Sequence, residues 1–206
     1  MWPSLPLSSM SPMPEFATRF ELPALPFERH SLEPDVSRAQ VDLLYSHYHR
    51  RHIDTLNARG ATIHGHSLSS LAEHDGNAIR RSAQEAWNLV FFWHGLSAGS
   101  VAVPAVLARR IDQAFGGIGA LQYRWRAHVH DVAEGWSWLT VDASGDLELL
   151  ASPTGERPVG AAPLLAIALA EDAYRIDYRG RCGDYFDALW PHMNWDYAQL
   201  NLEATG

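Results

Sequence analysis

The spacing of hydrophobic positions changes character part-way along the chain. From Asp35 to Asn57, Val41, Leu44, Tyr48, His52 and Leu56 recur at helical spacing, which predicts one long helix with a single apolar face. Pro34 suits the first turn of that helix and Arg59-Gly60 its end. Residues 61–77 (ATIHGHSLSSLAEHDGN) predict a loop and a short helix. A second long helix is predicted from about Ala78 to Leu96, and the aromatic density of AQEAWNLVFFWHGL marks it as buried. Residues 103–135 predict two helices joined at Gly116-Gly117. The period then falls to two. WSWLTVD and LELLAS flank Ala143-Ser144-Gly145-Asp146, a hairpin signature. APLLAIALA predicts a third, fully buried strand, and GDYFDALWPHMNWDYAQLNLEA reads as terminal helices. A helical front half therefore precedes a mixed α/β back half.

Composition narrows the class. The chain has 206 residues, 47% of them hydrophobic, enough for one sizeable core or two packed lobes. A formal net charge of −8 disfavours nucleic-acid binding by a broad positive face. Lysine is absent, so every fixed positive side chain is an arginine. The single cysteine, Cys182, excludes an internal disulfide framework and a thiolate-rich metal site. No apolar run approaches a membrane span and nothing at the start reads as a signal peptide. A cytoplasmic protein with no nucleic-acid or membrane partner is expected. The opening MWPSLPLSSMSPMPEFATR lacks periodicity and is expected to be a flexible tail.

Several short stretches carry candidate chemistry. In AEDAYRIDY, the adjacent acids Glu171 and Asp172 follow an apolar run. Acids there suit a metal, a proton transfer or a subunit contact. Tyr48 and His52 lie one helical turn apart, and His52 is a candidate general base; the plainer reading is a partly buried histidine satisfied by a hydrogen bond. His47, His49 and His52 are scattered around the helix by their spacing, and His64, His66, His128 and His130 suit surface roles. AFGGIGALQ lies between helices rather than after a strand, so it is no phosphate loop. Cys182 reads as a small loop residue without an adjacent base.

Five strings in order carry a family likeness: FELPALPFERHSLEP, the long helix ending in TLN, AWNLVFFWHGLS, GWSWLTVDASGDLEL and PLLAIALAEDAYRIDYRGRCGDYFDALWPHMNWD. From about residue 20 onward the chain resembles the iron/manganese superoxide dismutases. That resemblance implies an α+β fold: an N-terminal long-helix hairpin packed on a C-terminal α/β lobe with a three-stranded antiparallel sheet. The expected division is 1–19 tail, 20–98 helical-hairpin lobe and 99–206 α/β lobe. It also implies one iron or manganese ion, held by three histidines and an aspartate, that converts superoxide to oxygen and hydrogen peroxide.

The ligand positions depart from that pattern. The resemblance sets the four ligands at Leu44, Leu89, Ala168 and Asp172, and only Asp172 retains a donor atom. His47 and His94 are displaced along their helices from the first two positions. The two gateway positions become Tyr48 and His52, the solvent-tuning glutamine of the iron enzymes becomes Glu85, the motif tryptophan becomes Ala170 and the following tyrosine becomes Arg175. Trp87, Asn88, Phe92, Trp93, Trp136, Trp138, Tyr174, Tyr178 and Tyr185 keep the family's structural residue types.

The expectation is a metal-free, cofactor-free protein without dismutase activity that serves as a binding or assembly subunit. An alternative is an enzyme of another class using an emptied cavity lined by Leu44, Leu89 and Ala168, with Tyr48, His52, Glu85 and Asp172 at its edge, as a small-molecule pocket. A third is a dismutase with relocated ligands. The family dimerises through the active-site loop, so the resemblance places Glu171, Asp172, Arg175 and Tyr48 at a homodimer or heteromeric contact. There Arg175 is expected to pair with an acid and to donate to Tyr48.

Overall fold

The computed structural model describes residues 19–59, 65–73, 77–132 and 134–205. The expected tail, apart from Arg19, lies outside the described residues, as does His64. The first helix begins at Arg38 rather than Asp35, leaving Pro34 in the preceding turn. The cause is a cap. Ser37 Oγ accepts from Gln40 N at 3.1 Å, while Ser37 N and Oγ each donate to an oxygen of Asp177 at 2.7 Å. The start of the helix is thus tied to the far end of the chain.

This helix is not uniform. A short α1 (Arg38–Asp42) passes into a π-helical stretch, Leu43–His49, and resumes as α2 (Arg50–Asn57). The predicted face of Val41, Leu44, Tyr48 and Leu56 is buried, but Tyr45, His49 and Ile53, each one position beyond it, are buried too. The burial reflects neighbours on several sides: Tyr45 Oη donates to Pro23 O at 2.8 Å from the N-terminal strap, and α4 (Asn77–His94) covers the inner face. The short α3 (Leu68–Ala72) is capped by Ser67 and packs on α4. α4 stops short of the expected Leu96, because Leu96 forms a bridge with Met193.

The back half adds α5 (Ala105–Phe115) and α6 (Ile118–Val132), joined at Gly116-Gly117, whose φ values of +86° and +114° favour glycine. Strands β1 (Trp136–Asp142), β2 (Leu147–Ser152) and β3 (Ala161–Ala168) form an antiparallel sheet in the order β2-β1-β3. β1 is central and almost wholly buried, which explains its run of apolar residues. β3 is buried only from Leu164 onward; its first three residues are half-buried, so the strand is less enclosed than expected. After it come α7 (Arg175–Tyr178), α8 (Cys182–Leu189) and α9 (Trp195–Glu203). Cys182 is a buried residue opening α8, not a loop residue. One large core cluster joins the first helix, α4 to α6, the sheet and α8 to α9; a second, around Leu56, Leu71, Ala72 and Ala83, holds Phe20.

Candidate functional site

The site is built where the first helix, α4, the start of β1 and the segment after β3 meet. Gly135, at φ +103°, lets the chain pass tightly into β1, and its carbonyl accepts from Leu169 N at 2.9 Å. Trp136 thereby stands opposite Ala168 at the end of β3. The next residues form a 3-10 turn, Glu171–Ala173, and α7. Gln40, buried in α1, fixes this segment: its Nε2 donates to Asp172 O at 2.6 Å and its Oε1 accepts from Ile176 N at 2.8 Å. Gln40 was not singled out from sequence. Its signal was the spacing of four to Leu44 and eight to Tyr48, which sets it on the buried face.

Glu85 is the polar centre. It is 1% exposed, and its carboxyl accepts from Tyr48 Oη at 2.8 Å, Trp136 Nε1 at 3.0 Å and Gly155 N at 2.6 Å. Burial pushes its pKa upward, against the opposing effect of those donors. Burial and the adjacent Glu85 push the Tyr48 hydroxyl well above its usual range. Tyr48 donates to Glu85, and Arg51 lies over its ring, 4.8 Å from the centroid. Next to Glu85 on α4, Asn88 Nδ2 donates to Glu156 O at 2.8 Å, clamping the loop that carries Gly155.

Histidines around this centre behave differently from one another. His49 is fully buried, and among the described residues neither ring nitrogen makes a hydrogen bond of normal geometry. Burial, then His52, lowers its pKa to about 3 against a weak pull from the Ala86 carbonyl. His52 stacks edge-on against Tyr48 with ring centroids 5.0 Å apart, and burial, then Arg51, lowers it to about 4. Among the described residues its Nε2 is buried without a hydrogen-bond partner, and its basicity is far below that of a base poised near neutrality. His128, expected at the surface, is half-buried and its Nδ1 lies 2.8 Å from Ser137 Oγ.

Leu44, Leu89 and Ala168 belong to one buried cluster, each no more than 2% exposed. A void of about 10 Å³ borders Leu44 but reaches neither Leu89 nor Ala168, too small for more than a single water. All three side chains pack within that core cluster. Tyr48 and Asp172 instead line an open cleft of about 870 Å³ with Arg50, Arg51 and Arg175. Arg175 approaches Asp172 at 3.5 Å, while Glu171 is exposed.

This architecture agrees with direct comparison. Residues 19–97 match the iron/manganese superoxide dismutase alpha-hairpin domain, and residues 104–201 match the C-terminal domain of the same enzymes. The chain belongs to the iron/manganese superoxide dismutase family. Superoxide dismutase [Fe] of Photobacterium leiognathi is 31% identical over 192 residues, covering 90% of this chain and 100% of the relative. The same-named protein of Legionella pneumophila is 32% identical, covering 89% and 99%. That of Escherichia coli K12 is 29% identical, covering 90% and 99%.

The family's metal can then be tested against the side chains. Of the four positions that the resemblance sets at its ligands, Leu44, Leu89 and Ala168 carry no donor side chain, and Asp172 is approached by Arg175. Among the described residues, no group of three or more His, Cys, Asp or Glu side chains is arranged to hold an ion. An iron or manganese ion needs several converging N or O donors, so the residues present do not fit that centre. Nor is any helix among the described residues long and apolar enough to cross a membrane.

Proposed function

We propose that this superoxide dismutase family member binds no metal at the family site, does not dismute superoxide, and acts as a binding or assembly subunit. The observation that carries this reading is the apolar filling of the ligand positions: Leu44, Leu89 and Ala168 lie in the core at full burial. A metal ion among them would lose water ligands without replacement, a heavy desolvation cost. The scaffold around them is retained, with Trp87, Asn88, Trp93, Trp136 and Tyr174 at their family places. Family members typically form homodimers or tetramers, and the exposed Glu171 and Arg175 beside Tyr48 and Asp172 supply a polar contact face for a second copy or another protein.

The test is metal content by elemental analysis together with a dismutase assay on the purified protein, with an iron superoxide dismutase as positive control. Substoichiometric iron and manganese with background activity is expected. One ion per chain with dismutase turnover overturns the reading.

A further inference from the structure

A cleft of about 670 Å³ opens between α4, the loop joining β2 to β3, and the start of β3. It shares no lining residue with the first helix or with the 171–178 segment. Arg80, Trp87 and Phe91 recur at helical spacing on the face of α4 that lines it. Trp87 is half-buried and stacks on Phe91, with ring centroids 5.2 Å apart and planes 21° apart; Phe91 in turn meets Tyr197 at 5.3 Å. Arg157 lies over the Trp87 ring, 5.1 Å from its centroid, and pairs with Glu73 just past α3. The loop that carries Arg157 is bound to α4 at two points: Gly155 N donates to Glu85 and Glu156 O accepts from Asn88. Gly155 has φ +76°, and a Cβ there would meet the Arg81 carbonyl oxygen at 3.1 Å, so glycine is what brings the loop this close. The cleft is therefore preformed.

We propose that this cleft binds a small zwitterion with an aromatic body, the chemistry of a free aromatic α-amino acid. Its lining carries both signs of charge, Arg80 and Arg157 together with Glu73 and Glu156. A plain anion or cation entering it meets a like charge as well as an opposite one, which is costly. A zwitterion finds a complement for each end: guanidinium groups take its carboxylate in bidentate geometry, and the glutamates take its ammonium. Glu73 is exposed, so its pair with Arg157 is of the weak kind that a ligand carboxylate displaces. Trp87 and Phe91 supply the planar apolar wall on which an aromatic ring packs. The volume suits a small molecule, and the strand edge does not suit an added peptide strand. Pro163 in β3 has no N–H, and Leu164 is an extra residue where the register with β1 shifts. The Leu164 carbonyl already accepts from Asn201 Nδ2 at 3.1 Å, so no continuous ladder is on offer. This site goes beyond the reading of the chain as a metal-free subunit and does not depend on it.

The test titrates L-phenylalanine into the isotope-labelled full chain and follows the Trp87 indole N–H resonance, assigned by its loss in W87F. A saturable shift is expected. 3-Phenylpropionate, which lacks the ammonium, and phenethylamine, which lacks the carboxylate, are each expected to bind at least about tenfold more weakly, the scale of one lost charge-assisted contact. R80Q/R157Q is expected to weaken L-phenylalanine by a similar factor and leave phenethylamine unchanged; E73Q/E156Q is expected to weaken L-phenylalanine and leave 3-phenylpropionate unchanged. R109Q/R124Q, which makes the same charge change at two exposed arginines outside the cleft, is expected to bind like wild type. Thermal melting of each variant checks folding; if R80Q/R157Q is unfolded, R80Q alone replaces it, since Arg80 is exposed, with at least a threefold loss expected. No saturable shift at Trp87, affinity unchanged in the cleft arginine variant, or equal loss in R109Q/R124Q overturns the proposal. Binding of either single-charge analogue as tight as that of L-phenylalanine also overturns it. Sedimentation showing an oligomer broken by V159E, at a 90% exposed residue lining the cleft, assigns this face to another copy of the chain and overturns it as well.

Discussion

Tyr48 Oη donates to Glu85 Oε1 at 2.8 Å, joining two side chains from different helices inside the core. Trp136 and Gly155 donate to the other carboxyl oxygen from the opposite lobe, so one carboxyl joins both halves of the molecule. Burial raises the Glu85 pKa. A carboxyl with a raised folded pKa loses stabilisation as pH climbs through that value. Glu85→Gln keeps every contact, because the amide oxygen accepts from Trp136 and Gly155 while Nε2 donates to Tyr48. Glu85→Gln is therefore expected to match or exceed wild-type stability at neutral pH, by up to roughly 1 kcal/mol, and Glu85→Leu to lose about 2–5 kcal/mol by stranding three buried donors. Chemical denaturation of the two variants at pH 7 checks the order; a Gln variant weaker than the Leu variant contradicts it.

The opposite sign applies to His49 and His52. Their folded pKa values, about 3 and about 4, lie below the ordinary 6.5. The fold holds both rings neutral, so the unfolded chain binds protons first as pH falls. Their contribution is fully present above about pH 6.5 and is lost progressively below it. By about pH 4.5 the more buried His49 alone withdraws on the order of 2–3 kcal/mol, taking each pKa unit as about 1.4 kcal/mol. Melting temperature against pH is expected to fall over this window, and His49→Gln to flatten the fall. A His49→Gln profile parallel to wild type would falsify the assignment.

Gln40 makes a prediction about order rather than global stability. With both amide atoms used on the 172–176 segment, Gln40→Leu leaves Asp172 O and Ile176 N without partners at a cost of about 1–3 kcal/mol. Hydrogen exchange is the direct measurement. The Ile176 amide is expected to exchange at least tenfold faster in Gln40→Leu, with β1 amides unchanged.

Period and punctuation made the helices, the hairpin and the third strand readable, because each depends on local spacing and on turn residues such as Gly116 and Gly145. The π-helical stretch was not readable: Leu43 to His49 have the same apolar spacing as a regular helix, and their extra burial comes from Pro23 and α4. The cap at Ser37 shifted the helix start for a similar reason, since its partner, Asp177, is 140 residues away. At the site, resemblance located Leu44, Leu89, Ala168 and Glu85, but sequence could not tell an empty cavity from a filled one. That depends on how the Leu44 and Leu89 side chains meet residues from the other lobe.

Restoring the family's donors is the most demanding test. Leu44→His, Leu89→His, Ala168→Asp and Asp172→His together return three histidines and an aspartate to the ligand positions, with Leu44, Leu89 and Ala168 already sharing one cluster. Without metal the fourfold variant buries polar groups lacking partners, so it is expected to be less stable than wild type by several kcal/mol, roughly 2–5. Iron or manganese then supplies the missing partner, and binding to the folded state alone raises stability by mass action. The variant is expected to retain about one ion per chain after desalting and to melt higher when loaded, while wild type does neither. Elemental analysis and paired melting curves decide it. A fourfold variant that folds but takes up no metal shows that these backbone positions do not converge on one point, which removes the alignment on which the loss of ligands rests.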